Sequence, residues 1–558
     1  MWLIHCATLA LEEFIARIPP YAILSHTWER EEVTFRHMQD KQAASQMQGF
    51  AKINKTCELA RSHGYEYAWV DTCCIDKSSS AELSEAINSM FAYYKKARRC
   101  YVYLADYTSQ KEFWNIAGGV EHSADSDTDS SSSENLLIGK EDISSTRWLK
   151  RGWTLQELIA PTNVDFYDQN WSFLGTKLDS AEYLSRITHI PVNILRGDSN
   201  CNRISIASRM SWASMRSTTR VEDMAYCLLG IFDVNMPLLY GEGNKAFYRL
   251  QEEIIRSSDD RSIFAWKAEP DELEGYRGLL AEDIDEFKSC IGFRSIQNVE
   301  NGYRAAEYTI CNQGLRIHSL LKARPYCSDY LLPVGYSSSS PSSEVAVRLL
   351  QYGPSLFIRS SPERYAHLDS ASYHIDLPSP QYIALRGQDD LEASALFCRD
   401  GSVTLRLPPQ LDELVISRVS PPLHWDRLNK IMLRAEASEI AGYYIGELAN
   451  LGSFVIVCGR SDRYDMEHPE APFYCSVFST ADPVIKALLT PAIYHNINTE
   501  LSIAHRAMKE LDFPHNVILG HGNESCRVVI QGTKVTKDHG PCVEISFVIN
   551  VTVEACQN

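Results

Sequence analysis

YAWVDTCCIDKSSSAELSEAINSMFAYYKKARRCYVYLAD, residues 67–106, sets the architecture of the N-terminal half. Tyr67 to Val70 is a short apolar run ending at Asp71, and Ser79-x-x-Glu82 has the form of a capping box, which opens a helix by satisfying its first backbone N–H groups. Leu83, Ala86, Ile87, Met90, Tyr94 and Ala97 recur at helical spacing and give that helix one buried stripe. A second apolar run, Tyr101 to Leu104, ends at Asp106. Upstream the same alternation holds: Tyr21 to Leu24 runs into Ser25-His26-Thr27, Phe50, Ile53, Cys57 and Ala60 mark a helix, and His63-Gly64 stops it. Strand, helix, strand, helix, strand predicts a parallel sheet with right-handed crossovers, whose ligands gather beyond the carboxyl ends of the strands. Ser25, His26, Asp71 and Asp106 fall at that edge.

Downstream, Arg151-Gly152-Trp153-Thr154-Leu155-Gln156-Glu157-Leu158 places the Glu157 carboxylate in the first turn of a further helix. Val164 to Tyr167 reads as another strand, and Ala207 to Ser214, Val221 to Leu229 and Asn244 to Arg256 read as helices, the last with Phe247, Leu250, Ile254 and Ile255 on one face. Between Gly118 and about Thr146 the chain is acidic and serine-rich (HSADSDTDSSSSEN), with too few apolar side chains to offset the entropy of ordering it, so a mobile insertion is expected. Beyond about Ala268 short alternating runs take over, among them Tyr308 to Ile310, Val345 to Leu350, Val403 to Leu407, Ser453 to Val457 and Val543 to Val551. Glycine, proline and serine clusters separate them, the pattern of an antiparallel, sandwich-like β domain. The division expected is an α/β domain over residues 1–266 and a β-rich accessory domain over 267–558.

A chain of 558 residues exceeds the roughly 250 to 300 over which a single core keeps growing, so two or three domains are expected. Its 44% hydrophobic and 23% charged composition suits a water-soluble protein, and no apolar run approaches the ~20 residues of a membrane span. With no secretory signal at the N-terminus, a cytoplasmic location is expected. The net charge of −18 disfavours a nucleic-acid partner. Sixteen cysteines without zinc-type spacing predict neither disulfides nor a metal site in a reducing compartment. Gly241-Glu242-Gly243-Asn244-Lys245 lacks the GxxxxGK[ST] pattern, so Asn244 reads as a helix N-cap and no ATP or GTP site is predicted.

Several strings resemble the heterokaryon incompatibility (HET) domain of filamentous fungi: IPPYAILSHTWEREEVTF, the stretch from Tyr67 to Asp106 quoted above, RGWTLQELIAP, and VEDMAYCLLGIFDVNMPLLYGEGNKAFYRLQEEIIRSSDDRSIFAW. The resemblance covers about Met1 to Trp266. It departs at Glu29, where the family usually has glycine after SHTW. The resemblance implies a fold distantly related to Toll/interleukin-1-receptor (TIR) domains, hence a flavodoxin-like parallel sheet flanked by helices, and a role in non-self recognition that ends in regulated cell death. Some TIR domains cleave NAD between nicotinamide and ribose, and the catalytic glutamate of plant-type members lies in a WCLxEL-like motif that WTLQEL resembles. Carried over, that assigns catalysis to Glu157, with NAD as substrate and no cofactor.

Cleaving an N-glycosidic bond builds positive charge on the ribose, which a fixed carboxylate stabilises, while the nicotinamide of NAD departs without needing a proton. Asp71 can hold a ribose hydroxyl, Ser25 and His26 can meet ribose or phosphate, Arg151 can meet the pyrophosphate, and Trp28 and Trp153 can stack on a ring. Each has a plainer alternative. Thr154 and Glu157 also fit a capping box worth ~1 kcal/mol. Asp71 can satisfy a turn, His26 and the two tryptophans can be packed, and Arg151 can lie on a solvated face. Cys73 or Cys74 with His26 offers a thiol-hydrolase reading, against which free cysteine is commonly a small buried hydrophobe. A non-enzymatic adaptor that self-associates through the same domain and answers to an unidentified protein trigger is the rival class.

Overall fold

The structure is a computed structural model. It describes residues 1–109, 142–269 and 276–296 without a break, then 308–318 and the shorter segments that carry the strands named below. Residues 118–141 of the acidic insertion lie outside the described residues. The chain divides into two compact units: Met1–Glu269 with Leu280–Tyr303 and Val334–Glu344, and Pro270–Leu279 with Arg304–Pro333 and Val345–Asn558.

The first unit is built on a seven-stranded sheet of β1 (Trp2–His5), β2 (Ala10–Glu13), β3 (Tyr21–His26), β4 (Tyr67–Trp69), β5 (Arg99–Tyr103), β6 (Val164–Tyr167) and β7 (Phe173–Thr176), in the order β2-β1-β4-β3-β5-β6-β7. The four central strands are parallel, and β1, β2 and β7 add antiparallel edges. Taken in chain order, the parallel strands lie 2-1-3-4, so the direction of winding reverses between β3 and β5. Right-handed crossovers then put α1 (Phe50–Ser62) and α2 (Ser80–Lys96) on opposite faces of the sheet. Covered on both faces, β3 is buried at all six positions, as its apolar run Tyr21 to Leu24 requires.

Local chemistry sets the helix ends. Ser79 Oγ accepts from Glu82 N as the capping box predicts, but Glu82 Oε1 accepts from Asp76 N, so the box closes around the preceding turn. Ala86, Ile87, Met90 and Tyr94 form the buried face of α2, with Leu83 half-buried. His63 caps α1 and Gly64, at φ +82°, takes the left-handed turn that follows. Two short helices, α3 (Arg147–Lys150) and α4 (Thr154–Ile159), precede β6. Gly152 joins them because a Cβ there would stand 2.6 Å from Thr218 Cγ2.

Several expectations shift in detail. The predicted helices over 207–214 and 221–229 are Ile206–Ser211 and the pair Asp223–Tyr226 and Leu229–Phe232, broken near Leu228. The helix α5 (Lys245–Ser257) does bury Phe247, Leu250, Ile254 and Ile255. Asn244 precedes it, but its side chain makes no capping bond. The glycine loop beside it, with Gly241 and Gly243 at positive φ, instead donates both glycine N–H groups to Glu222 Oε1.

The second unit is β-rich. Its described strands form ten-, six- and four-stranded sheets, some of whose strands reach into residues of the first unit. Inward side chains of the six- and four-stranded sheets, such as Val403, Val528 and Ile549 from one and Tyr444, Phe454 and Val477 from the other, share a single core, which is the layering of a sandwich. Pairing is not wholly antiparallel as expected: Leu356–Ser360 runs parallel to Gln381–Ile383, and Val403–Arg406 parallel to Val543–Ala555.

Candidate active site

The carboxyl end of β3 carries the site. Strand alternation sends Ser25 and His26 to opposite faces of the sheet. On one face Ser25 Oγ donates to Glu157 Oε2 at 2.5 Å and accepts from Trp148 Nε1 at 2.7 Å. The indole N–H thus fixes the direction of the serine hydroxyl, whose single proton goes to the carboxylate. Tyr94, on α2, donates its hydroxyl to Leu24 O at 3.1 Å and lies against Glu157. Glu157 is 7% exposed. Burial pushes its carboxyl up to about 7, opposed by the Ser25 hydrogen bond, reinforced by the Asp71 charge and opposed again by Arg151 and Tyr94.

Glu157 is therefore not the capping residue that its spacing from Thr154 also allowed. Trp153, not Thr154, stands at the N-cap position of α4, and Thr154 Oγ1 donates backwards to Trp148 O and, at 2.8 Å, to Arg151 O. The threonine, turned toward the preceding chain, makes no capping bond, Leu155 N donates instead to Gly152 O, and the glutamate is released to face β3.

On the other face His26 is buried, with Nδ1 3.8 Å from Asp71 Oδ1 and Nε2 3.8 Å from Glu32 Oε2, both beyond hydrogen-bond reach. Burial alone would raise the Glu32 carboxyl, but His26, an ion pair with Lys52 and the Glu29 N–H hold it down at about 2. Asp71 accepts from Trp28 Nε1 at 2.8 Å, and its side chain is 20% exposed. Trp28 is the open part of the cluster, at 41% exposure, with Lys77 Nζ 3.7 Å and Arg151 Cζ 5.3 Å from its ring centroid. Those two cations stabilise the π-face and bring positive charge to the rim.

Of the residues singled out from sequence, Ser25 and Glu157 are joined directly, while Trp28, Asp71, His26 and Arg151 form the adjoining group. Trp153 stands elsewhere, half-buried beside the Asp223 carboxylate. Asp106 is also spent differently, accepting from Arg147 N at 2.8 Å at the start of α3. Arg147 in turn pairs with Glu29 at 2.5 Å, which gives the Glu29 departure a partner of its own. The thiols of Cys73 and Cys74 meet the Val70 backbone and neither bonds His26, and burial pushes the Cys73 thiol well up. Sequence reading missed Tyr94, Trp148, Glu32, Lys52 and Lys77. Tyr94 had been assigned to the buried stripe of α2, and only its terminal hydroxyl distinguishes it there from a core residue.

A buried, hydroxyl-bonded carboxylate at the carboxyl edge of a parallel sheet, with an exposed indole flanked by cations in the adjoining group, defines an α/β domain with a candidate carboxylate-centred site. Residues 21–157, from the first residue of β3 to Glu157, match the family of the heterokaryon incompatibility protein (HET), and residues 245–277 match a domain of unknown function (DUF8212). The chain is 46% identical over 273 residues to the vegetative incompatibility protein HET-E-1 of Podospora anserina, a stretch that covers 48% of this chain and 19% of that relative. This protein carries a heterokaryon incompatibility (HET) domain, and it spans about a fifth of the length of the curated relative it matches. No solved structure matches it. Among the described residues no helix is long and apolar enough to cross a membrane.

Proposed function

We propose that this protein acts in vegetative incompatibility as a cytoplasmic effector of regulated cell death, and that its HET domain hydrolyses NAD at the nicotinamide–ribose bond once copies assemble. The observation that carries the reading is the Ser25–Glu157 hydrogen bond at the carboxyl end of β3. The strand order 2-1-3-4 supports a flavodoxin-like, TIR-like architecture, whose ligand crevice lies where the winding reverses, here between β3 and β5.

In this reading the ionised Glu157 stabilises the positive charge that builds on the ribose as the C–N bond breaks and its electron pair leaves with neutral nicotinamide. Water then attacks the ribose carbon and loses a proton, giving ADP-ribose, nicotinamide and a proton from NAD and water. A carboxyl held at about 7 is suited to take that proton. Trp28, Asp71 and Arg151 bind the dinucleotide. The trigger is a separate protein or the β-rich unit.

A second reading is favoured by one observation: Glu157 is 7% exposed and already bonded, as a residue of a structural polar network would be. The domain would then signal through self-association alone. Nicotinamide release from NAD by the full chain, free and forcibly clustered, separates the two. Catalysis predicts release that falls at least about 100-fold in Glu157→Gln with folding retained. Equal release in the variant, or cell death that persists in it with cellular NAD unchanged, refutes the catalytic assignment.

A further inference from the structure

A cleft on the first unit stands apart from the Ser25–Glu157 pair and is lined in part by Lys150, Arg216, Trp212, Leu149, Ile187 and Met215. Its cavity volume is about 110 Å³, small against the roughly 300–1,000 Å³ of drug-sized ligand sites, so it suits only a compact molecule held partly in solvent. Arg216 is 7% exposed. Its Nη1 donates to Arg151 O at 3.1 Å and Thr154 Oγ1 at 3.0 Å, the turn that opens α4. Its other N–H groups bond no protein acceptor among the described residues and are open to solvent, and the Glu157 charge reaches it only from beyond ion-pair distance. A buried charge without a counter-ion is costly and ordinarily paired. Trp212, 2% exposed, keeps its indole N–H buried without an acceptor in the same wall. Lys150, near the mouth, also lacks an ion-pair partner among the described residues. The lining also includes the apolar side chains of Leu149, Ile187 and Met215, the last 68% exposed, beside Ser144, Thr188 and Ser211.

We infer that this cleft binds a small organic anion, a phosphate or carboxylate carried on a compact apolar body, with Arg216 as its principal partner and Lys150 drawing the charge in at the mouth. An oxyanion supplies the acceptors that the guanidinium lacks, in charge-assisted hydrogen bonds. The apolar part of the lining asks for more than an inorganic ion. Because Arg216 also holds the turn before α4, one residue of the cleft braces the start of the helix that carries Glu157, while its ligand never touches the Glu157 carboxylate.

Phenyl phosphate, inorganic phosphate and phenol, each titrated into the full chain, test this by calorimetry and by tryptophan fluorescence. The expectation is saturable binding of phenyl phosphate, weaker by about tenfold or more for inorganic phosphate and for phenol, with a fluorescence change that disappears in Trp212→Phe. Arg216→Gln should abolish binding. Because that variant can lose stability, Lys150→Glu is the second probe: about a tenfold loss of affinity with the melting temperature unchanged. Absence of saturable binding, equal binding of phosphate and phenyl phosphate, or affinity unaltered by Lys150→Glu overturns the inference. Glu157→Gln should bind phenyl phosphate as the wild type does, so a failure of NAD hydrolysis leaves this result standing, and the reverse.

Discussion

Replacing Glu157 by glutamine should change how stability depends on pH, in a direction set by burial. The carboxyl sits at about 7 in the fold against 4.5 for the free group. Between those values the unfolded chain has released the proton while the folded one keeps it, so this group's contribution is fully present below 4.5 and is lost as pH rises through about 7. The interval from 4.5 to about 7 corresponds to about 3 kcal/mol, a large share of the roughly 5–15 kcal/mol that holds a domain together. Glutamine keeps the shape and cannot ionise. Urea unfolding of both proteins, followed by tryptophan fluorescence from about pH 4.5 to about pH 8, should show the wild type losing about 3 kcal/mol relative to Glu157→Gln across that range. Glu32, held down at about 2, titrates below this window and is common to both proteins, so it cancels. A difference that stays flat with pH, or one that moves in favour of the wild type as pH rises, would refute the claim that desolvation dominates at Glu157.

Other perturbations test the frame around that carboxylate. Ser25→Ala strips Glu157 of its donor and Trp148 of its acceptor, so it should cost about 1–3 kcal/mol and move the Glu157 titration upward; an unchanged midpoint contradicts the geometry. Gly152→Ala forces a methyl against Thr218 Cγ2 at 2.6 Å and should destabilise by about 1–3 kcal/mol, seen as a lower melting temperature, whereas a neutral result means the seam is loose. Lys177 is buried and donates to Leu158 O in the last turn of α4 and to Pro161 O just beyond it, so Lys177→Met should cost about 1–3 kcal/mol by leaving those carbonyls unmet, measured by the same unfolding.

The parallel sheet was legible because its first two strands, β3 and β4, are short apolar runs each followed by turn chemistry and a helix with one apolar face. Val164–Tyr167, followed by another strand, was recovered to the residue from its own short run. The antiparallel edges were not: Trp2–His5, Ala10–Glu13 and Phe173–Thr176 are four-residue strands, and Ala10–Glu13 has no buried position to impose an alternation. The Thr154–Glu157 spacing shows a different limit. A capping box is a local pattern, and here tertiary partners override it, Trp148 and Arg151 carbonyls for the threonine and Ser25 for the glutamate. The Ser25–Glu157 pair spans 132 positions, and no period or spacing encodes a contact of that range.

The division of labour at the end of β3 follows from pleating alone. Ser25 and His26 are neighbours in sequence, yet a strand must present them to different layers, so one strand end serves two carboxylate environments of opposite character. On the Ser25 side burial outweighs a single hydroxyl donor and Glu157 is pushed up to about 7. On the His26 side Lys52 and His26 outweigh the burial of Glu32 and hold it at about 2. Asp71 borders both: it lies 3.8 Å from His26 Nδ1, takes the Trp28 indole N–H, and its charge raises Glu157. A ligand that brought positive charge beside Asp71 would weaken that repulsion and favour the ionised form of Glu157, so the state of the buried carboxyl is coupled to occupancy at the exposed tryptophan. The titration of Glu157 should accordingly move to lower pH when a cationic ring such as N-methylnicotinamide is added at saturation, and Asp71→Asn should lower it in the absence of any ligand.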